Sequence, residues 1–326
     1  MKLIKSLKDC KDTQKIPLIA VVGPTASGKT KVAVELAKQC NGEVVSCDSM
    51  QIYKDMDIAT AKPTIEEMQG IKHHLIGFLD SNEVFSVAEY VRLAHSVIKD
   101  IYSRGKMPIL VGGTGLYFSS LVNNLTFNEA QGDQKLRQSL LEYAKKNGNL
   151  ALHKELEKVD EQAASLIHPN NVIRVIRAIE SQKLTGKTRK ENGELSHKNP
   201  SNYLLCAIGL NYVNRKDLYE RIDMRVDLML KNGLLEEAQE VYKKGVCGTG
   251  AQAIGYKELF LYFEGKCLLD EAIEQLKRQS RRYAKRQLTW FLRYISIKWV
   301  NITKDMNFED IMEQVNKNID FSTNVC

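Results

Sequence analysis

The sequence predicts an α/β fold: a phosphate-loop NTPase-like core with a parallel sheet, plus an all-helical insert domain. Three observations predict it. Gly23-Pro24-Thr25-Ala26-Ser27-Gly28-Lys29-Thr30 fits the phosphate-loop pattern G-x-x-x-x-G-K-[ST], with a strand-like apolar run before it and a helical pattern after it. Two further short apolar runs end at Asp48 and at Gly112-Gly113-Thr114-Gly115; the carboxyl ends of parallel strands are where such sheets bind ligands. Residues 126–200 show helical patterning and no convincing strand. The expected division is a first part of the core over 1–125, a helical insert over 126–200, and a return to the core with C-terminal helices over 201–326.

Composition allows this and narrows the class. A chain of 326 residues suffices for a sizeable core. No run approaches the ~18 apolar residues of a membrane span, so no membrane partner is expected. The basic start Met1-Lys2-Leu3-Ile4-Lys5 lacks the apolar stretch and cleavage site of a secretory signal, and residues 1–14 read as a leader. Seven scattered cysteines with no C-x-x-C pair predict reduced thiols and a cytoplasmic location. Cys and His spacings do not suit zinc. The net charge of +7 is a weak pointer to a polyanion.

Taken in order, Ile16 to Val22 reads as a buried parallel strand. The glycines of the loop let the backbone wrap a diphosphate with its N–H groups inward, and the next helix adds positive character at its N-terminus. Lys29 is expected on the outer phosphate and the Thr30 hydroxyl on Mg²⁺. The motif implies a phosphate chain and does not specify ATP. Gly42 is expected to cap the first helix. Val44 to Cys47 reads as a second strand, with Asp48 at its end facing the same crevice as Lys29; a turn cap or a water-mediated magnesium contact is the other reading of Asp48. Residues 54–80 look irregular, and His73 and His74 read as surface or packed residues. Ser86 and Glu89 form a capping box for a helix that runs to about Arg104. Met107 to Val111 is a third strand, after which Gly112, Gly113 and Gly115 permit close backbone approach to a ligand and Thr114 offers a hydroxyl.

In the insert, Asp133 to Lys146 reads as a charged helix, Asp160 as a cap, and Val172 to Leu184 as a helix with Arg174 and Arg177 on one side. Tyr203 to Leu210 returns to the sheet. Arg221 and Arg225 then share a strip of the next helix. They are either solvated and paired with Asp217, Asp223 or Asp227, or a guanidinium clamp on the phosphates. On the last long helix, about 270–294, Arg278, Arg281, Arg282, Lys285, Arg286 and Arg293 fall within about 140° of arc at 100° per residue. No acid lies between 278 and 293, and Tyr283, Ala284, Trp290 and Phe291 face away. An acid-free stripe with an apolar back suits phosphate contact better than a solvated face, which mixes signs.

The chain resembles the tRNA dimethylallyltransferases, also called tRNA isopentenyltransferases. The resemblance rests on GPTASGKT at 23–30, DSMQIY at 48–53, DIATAKPT at 57–64, HHL at 73–75, LVGGTGLY at 110–117, IHPNN with RVIRAIE at 167–180, QAIGYKE at 252–258 and AKRQLTWFLR at 284–293. These follow the family's order over about residues 16–295. Lys72 and Asn171 depart from residues common in the family, outside the expected chemistry. The resemblance implies a bacterial-type enzyme moving a dimethylallyl group from dimethylallyl diphosphate to N6 of adenine 37, beside the anticodon, in tRNAs reading codons that begin with U. It implies Asp48 as general base, Thr114 and Lys29 as its catalytic companions, and Gly23, Thr25 to Thr30 and Arg225 around the diphosphate. It also implies tRNA contacts from Asp48, Ser49, Met50, Gln51, Thr114, Arg137, Arg174, Arg177, Gln252, Gly255, Tyr256, Lys257, Lys285, Arg286 and Arg293. The expected partners are a tRNA anticodon arm and dimethylallyl diphosphate, with Mg²⁺, for a monomer. A phosphate-loop kinase would explain the first 120 residues but not the basic helix. An adenylate isopentenyltransferase would act on free nucleotide and lack the tRNA surface. A non-catalytic RNA-binding protein is opposed by the intact Lys29-Thr30.

Overall fold

The computed structural model describes residues 14–126, 133–196, 199–246 and 248–319. Nearly all of the expected leader lies outside them. The first compact unit holds residues up to 122 and from 201 onward; residues 123–200 form the second. Among the described residues, no helix is long and apolar enough to cross a membrane.

The chain order begins β1 (Ile16–Val22), α1 (Lys29–Cys40), β2 (Gly42–Ser46), α2 (Ile65–Met68), β3 (His73–His74), α3 (Val87–Ser103), β4 (Met107–Gly112) and α4 (Gly115–Val122). The second unit contributes α5 (Gln134–Asn147), α6 (Asn149–Val159), α7 (Glu161–Leu166), α8 (Val172–Thr185) and α9 (Arg189–Ser196). The chain then returns through β5 (Tyr203–Tyr212), α10 (Arg215–Lys231), α11 (Leu234–Lys243), α12 (Tyr256–Phe263), α13 (Leu269–Phe291), β6 (Ile297–Ile302) and α14 (Phe308–Asn318).

Six strands make one parallel sheet in the order β3-β2-β4-β1-β5-β6. β1 sits inside it, with Ile19 opposite Ile109 of β4 and Cys206 of β5. Its Leu18-Ile19-Ala20-Val21 run is buried on both faces, as a parallel strand covered by helices must be. The Ser86–Glu89 capping box opens α3, each partner bonding the other's backbone.

Two local expectations change, the Gly42 cap and the irregularity of residues 54–80, where Ile65–Met68 is helical and His73–His74 is a strand. α1 ends at Asn41, in the left-handed conformation with its N–H on Ala37 O. Gly42 instead opens β2, where an added Cβ would lie 2.8 Å from Met107 O. His73 and His74 form an edge strand: His74 Nε2 meets Glu43 Oε2 at 2.7 Å and His73 Nδ1 meets Ile71 O at 2.8 Å. Buried Glu43 also accepts from Arg104 at 2.7 Å on each oxygen and from Lys106 at 2.8 Å. These partners, Arg104 foremost, hold its carboxyl well below the usual carboxylate range.

The second unit has its own core, including Leu152, Leu156, Val175, Ile176 and Ile179. Buried Asp160 caps α7 through Ala163 N at 2.9 Å and also accepts from Arg189 N at 2.6 Å. Arg174 and Arg177 are exposed on α8. Arg137 is not a free cation, because its Nε donates to buried Glu180 at 2.9 Å.

Candidate functional site

The phosphate loop leaves β1 through Gly23, whose φ of +142° and contact with Leu210 O (2.5 Å from a would-be Cβ) exclude a side chain. Ser27 Oγ donates to Pro24 O at 2.8 Å. Lys29 Nζ donates to the same carbonyl at 2.6 Å, so the lysine folds back over the loop. Burial, then the charge of Arg225, brings its ammonium down to about 7 against a smaller opposing pull from Asp48. Arg225 is itself lowered by burial, and its NH1 donates to Thr25 Oγ1 at 3.2 Å. Arg221 Nε donates to Ala26 O at 3.2 Å. Both arginines reach the loop, while Asp223 and Asp227 are taken by Arg281 at 2.5 Å and Lys277 at 2.7 Å. Cations crowded until their charge is disfavoured make a place for an anion.

The loop amides do not all point at that place. Thr25 N–H donates to Gln287 Oε1 at 2.8 Å, and Gln287 Nε2 donates to Gly113 O at 3.0 Å. Gln287, buried on α13, so ties the loop to the turn after β4. The glycines of that turn are also bare for internal reasons. A Cβ would strike Cys47 O from Gly112 at 2.1 Å, Gln287 Nε2 from Gly113 at 2.0 Å and the Trp290 ring from Gly115 at 2.3 Å. They make room for the protein's own atoms, and of the three Gly112 also lines the cavity described below.

Half-buried Asp48 ends the stretch after β2 and accepts from Met50 N at 2.9 Å and Gln51 N at 3.4 Å. Burial pushes its carboxyl up; those amides, then Lys29 and Arg225, pull it back. Thr114 Oγ1 accepts from Ser49 N at 3.0 Å and donates to Ser49 Oγ at 3.3 Å. Ser49, to which Thr114 is bonded, lines the cavity described below, and Thr114 itself does not. Tyr283 bonds Thr114 and Gln287 and is held in its neutral form by burial and by Asp48.

These groups open into one cavity of about 290 Å³. Gln287, Tyr283, Ser280 and Leu276 line it from one face of α13. It therefore extends roughly 16 Å along that helix, at 1.5 Å per residue. The loop end is polar, with Lys29, Thr30, Asp48 and Arg225; the far end carries Val226, Met229, Leu234 and Leu276. Ser49, Met50, Gln51, Gln252, Gly255, Lys257 and Arg286 also face it. Tyr256 does not: it is fully buried, with its OH on Glu237 Oε1 at 2.6 Å, and is a core residue. Lys285 and Arg293 are exposed outside the cavity, Arg293 over the Trp290 ring. Arg281, paired with Asp223, drops out of the unpaired stripe, and Trp290 is half-buried rather than core, unlike Phe291.

The described residues hold no group of three or more His, Cys, Asp or Glu side chains arranged for a metal. Magnesium asks for less, since it keeps most of its waters and takes phosphate oxygens. The Thr30 hydroxyl, with Asp48 in the same cavity, fits such an ion. Gln287 and Glu237 were not singled out from sequence, and Tyr283 was read only as part of the apolar back of the basic helix, whereas it lines the cavity. The signal for Tyr283 and Gln287 was a polar pair, i and i+4, on the apolar side of that helix.

The family model described as IPP transferase matches residues 51–294. The chain is 49% identical over 304 residues to a tRNA dimethylallyltransferase of Caldanaerobacter subterraneus subsp. tengcongensis, covering 92% of this chain and 96% of the relative. It is 52% identical over 288 residues to a tRNA dimethylallyltransferase of Shouchella clausii, covering 88% and 91%. The crystal structure of the full-length tRNA isopentenylpyrophosphate transferase from Bacillus halodurans is similar at a TM-score of 0.70 and 47% identity, over 93% of this chain and 95% of that one. A eukaryotic dimethylallyltransferase acting on tRNA is similar at a TM-score of 0.78 and 30% identity, over 92% and 77%.

Proposed function

This chain belongs to the IPP transferase family, and from that premise we propose that it transfers a dimethylallyl group from dimethylallyl diphosphate to N6 of adenine 37 in tRNAs reading codons that begin with U. The observation that carries the reading is the convergence of one carboxylate, Asp48, with two depressed cations, Lys29 and Arg225, at the polar end of a single cavity. The adenine amine is a poor nucleophile because its lone pair is delocalised into the ring. As N6 forms its bond to the allylic C1, the C1–O bond breaks and its electron pair leaves with the diphosphate. Asp48 takes the N6 proton, the task of a general base. Lys29 and Arg225 meet the charge growing on the leaving oxygens. Mg²⁺ on the Thr30 hydroxyl, when bound, supplies further positive charge to that diphosphate. The target base must leave its stack to enter the cavity, where Ser49, Met50, Gln51, Gln252, Gly255, Lys257 and Arg286 receive it. Lys285, Arg293, Arg174 and Arg177 are exposed cations that this reading assigns to tRNA phosphates, together with Arg282 and Arg286 of the same basic stripe. The reading carries a monomeric, cytoplasmic enzyme.

The test is incubation with labelled dimethylallyl diphosphate and tRNA, AMP or ATP. Label in tRNA alone is expected. Label in AMP would make this an adenylate isopentenyltransferase, and phosphate transfer from ATP to a small acceptor would make it a kinase.

A further inference from the structure

Residues 57–61 form one wall of the cavity, lined by Ala59, Thr60 and Ala61. The segment belongs to no helix or strand, so its N–H groups need partners from elsewhere. One side chain supplies three of them. Glu237, in the first turn of α11, accepts from Asp57 N and Ile58 N at 2.8 Å each on Oε2. Its Oε1 accepts from Ala59 N at 3.1 Å and from the Tyr256 hydroxyl at 2.6 Å. The carbonyl side of the wall is held from the opposite direction, by Gln51 Nε2 on Thr60 O at 3.3 Å and Ala61 O at 3.0 Å. The backbone N–H of Gln51 is one of the two donors to Asp48.

The wall is also strained and closely keyed. Ala61 has φ +52°, and Asp55, two residues before the wall begins, has φ +57°. Residues with a Cβ hold such conformations where the surroundings over-determine them, commonly at functional sites. Gly255, at φ +107°, approaches so closely that an added Cβ would lie 2.8 Å from Ala59 Cβ. A displaced wall would therefore disturb both sides of the cavity.

We propose that Glu237 is a positioning residue for the transfer reaction: by gripping three consecutive amides it fixes the 57–61 wall and, through Gln51, the turn that carries Asp48. The proposal rests on the function proposed above. A carboxylate suits the task because it is acceptor-only, with two oxygens facing four donors. Glutamine of the same size would turn an NH₂ group toward N–H donors. Lys29 and Arg225 hold the loop end independently of this wall, so its loosening should act on the chemical step rather than on substrate affinity.

The test compares Glu237→Gln with Tyr256→Phe in the full-length protein, by amide hydrogen exchange and by single-turnover transfer to tRNA. Glu237→Gln should speed exchange at the Asp57–Ala59 amides. It should slow single turnover roughly 10–100-fold, as small misplacements do, with tRNA and diphosphate affinities within about twofold. Tyr256→Phe removes one of four bonds and no amide partner, and should leave both readouts near wild type. Unchanged exchange in Glu237→Gln overturns the grip. Faster exchange with an unchanged rate overturns the positioning role, as does a rate loss accompanied by lost protection throughout the sheet. A wild-type protein that labels no tRNA overturns the proposed function instead; the exchange comparison then decides the grip by itself.

Discussion

Lys29 sits beside Arg225 in a buried corner, and the ammonium that results, near 7, makes diphosphate binding depend on pH in a defined sense. A diphosphate on the loop adds negative charge and raises that value again. Above pH 7 the amine is partly neutral before binding and protonated afterward. Binding should therefore take up protons, and affinity should fall as pH rises from about 7 to 9 by the usual linkage. Calorimetry at pH 8 in two buffers of different ionisation enthalpy measures this; equal heats would contradict it. Asp48 shifts the other way. Burial raises its carboxyl, so the base form accumulates only above the usual range near ~3.9. Single-turnover rate should rise with pH along a limb displaced upward from that value. Asp48→Asn should lower the plateau roughly 10²–10⁴-fold, the usual loss for a general base. Retention of full rate would move the base to another residue.

At the scale of elements, α13 carries two different faces on one rod. Inward, Tyr283 and Gln287 meet the loop and the turn after β4; outward, Arg278, Arg282 and Lys285 are exposed, with exposed Arg286 at the rim of the cavity. Each cation that meets a phosphate releases counterions, so Arg282→Gln with Arg286→Gln should flatten the salt dependence of tRNA affinity by up to about two units. Arg281→Gln should leave the slope unchanged, since Arg281 is spent on Asp223. Affinities at several salt concentrations check both, and a flattened slope in Arg281→Gln alone would reverse the assignment. Phe291→Ala, deep in the core, should cost about 3–5 kcal/mol, read by denaturant unfolding. The strands β1, β4 and β5 were legible because each is a mainly apolar run buried on both faces, whereas β2 offered only Val44, Val45 and the Cys47 that follows, beside buried Glu43 and Ser46. β3 has only two residues, and β6 interleaves Lys298 and Asn301 with Ile297, Val300 and Ile302, a pattern too short and mixed to read. The loop and Asp48 were legible from local context, whereas the spacing of Arg221 and Arg225 showed only a shared helical strip and left open what they meet. Gln287 and Glu237 were not legible, because their partners lie far away in sequence and leave no local mark. The glycines at 112–115 signalled a close approach, but composition cannot say to what.

At the scale of the molecule, residues 123–200 form a compact unit with a separate apolar core. Its helices should respond to tRNA as a block, with amide exchange across α5 to α9 shifting together on addition; an unchanged pattern over all five would count against a role in tRNA contact. The other unit has a different kind of unity. Gln287 lies 262 residues after the Thr25 amide it accepts from, and β1 itself is completed by β5, which pairs along its whole length. The phosphate loop is thus synthesised long before the side chain that fixes its register. During most of its synthesis the growing chain carries the motif without the structure that makes it a cradle. On the proposed function, a formed diphosphate cradle would arrive only together with the helix assigned to RNA, so a half-synthesised chain would lack a finished site for its donor until the part that reaches its acceptor exists.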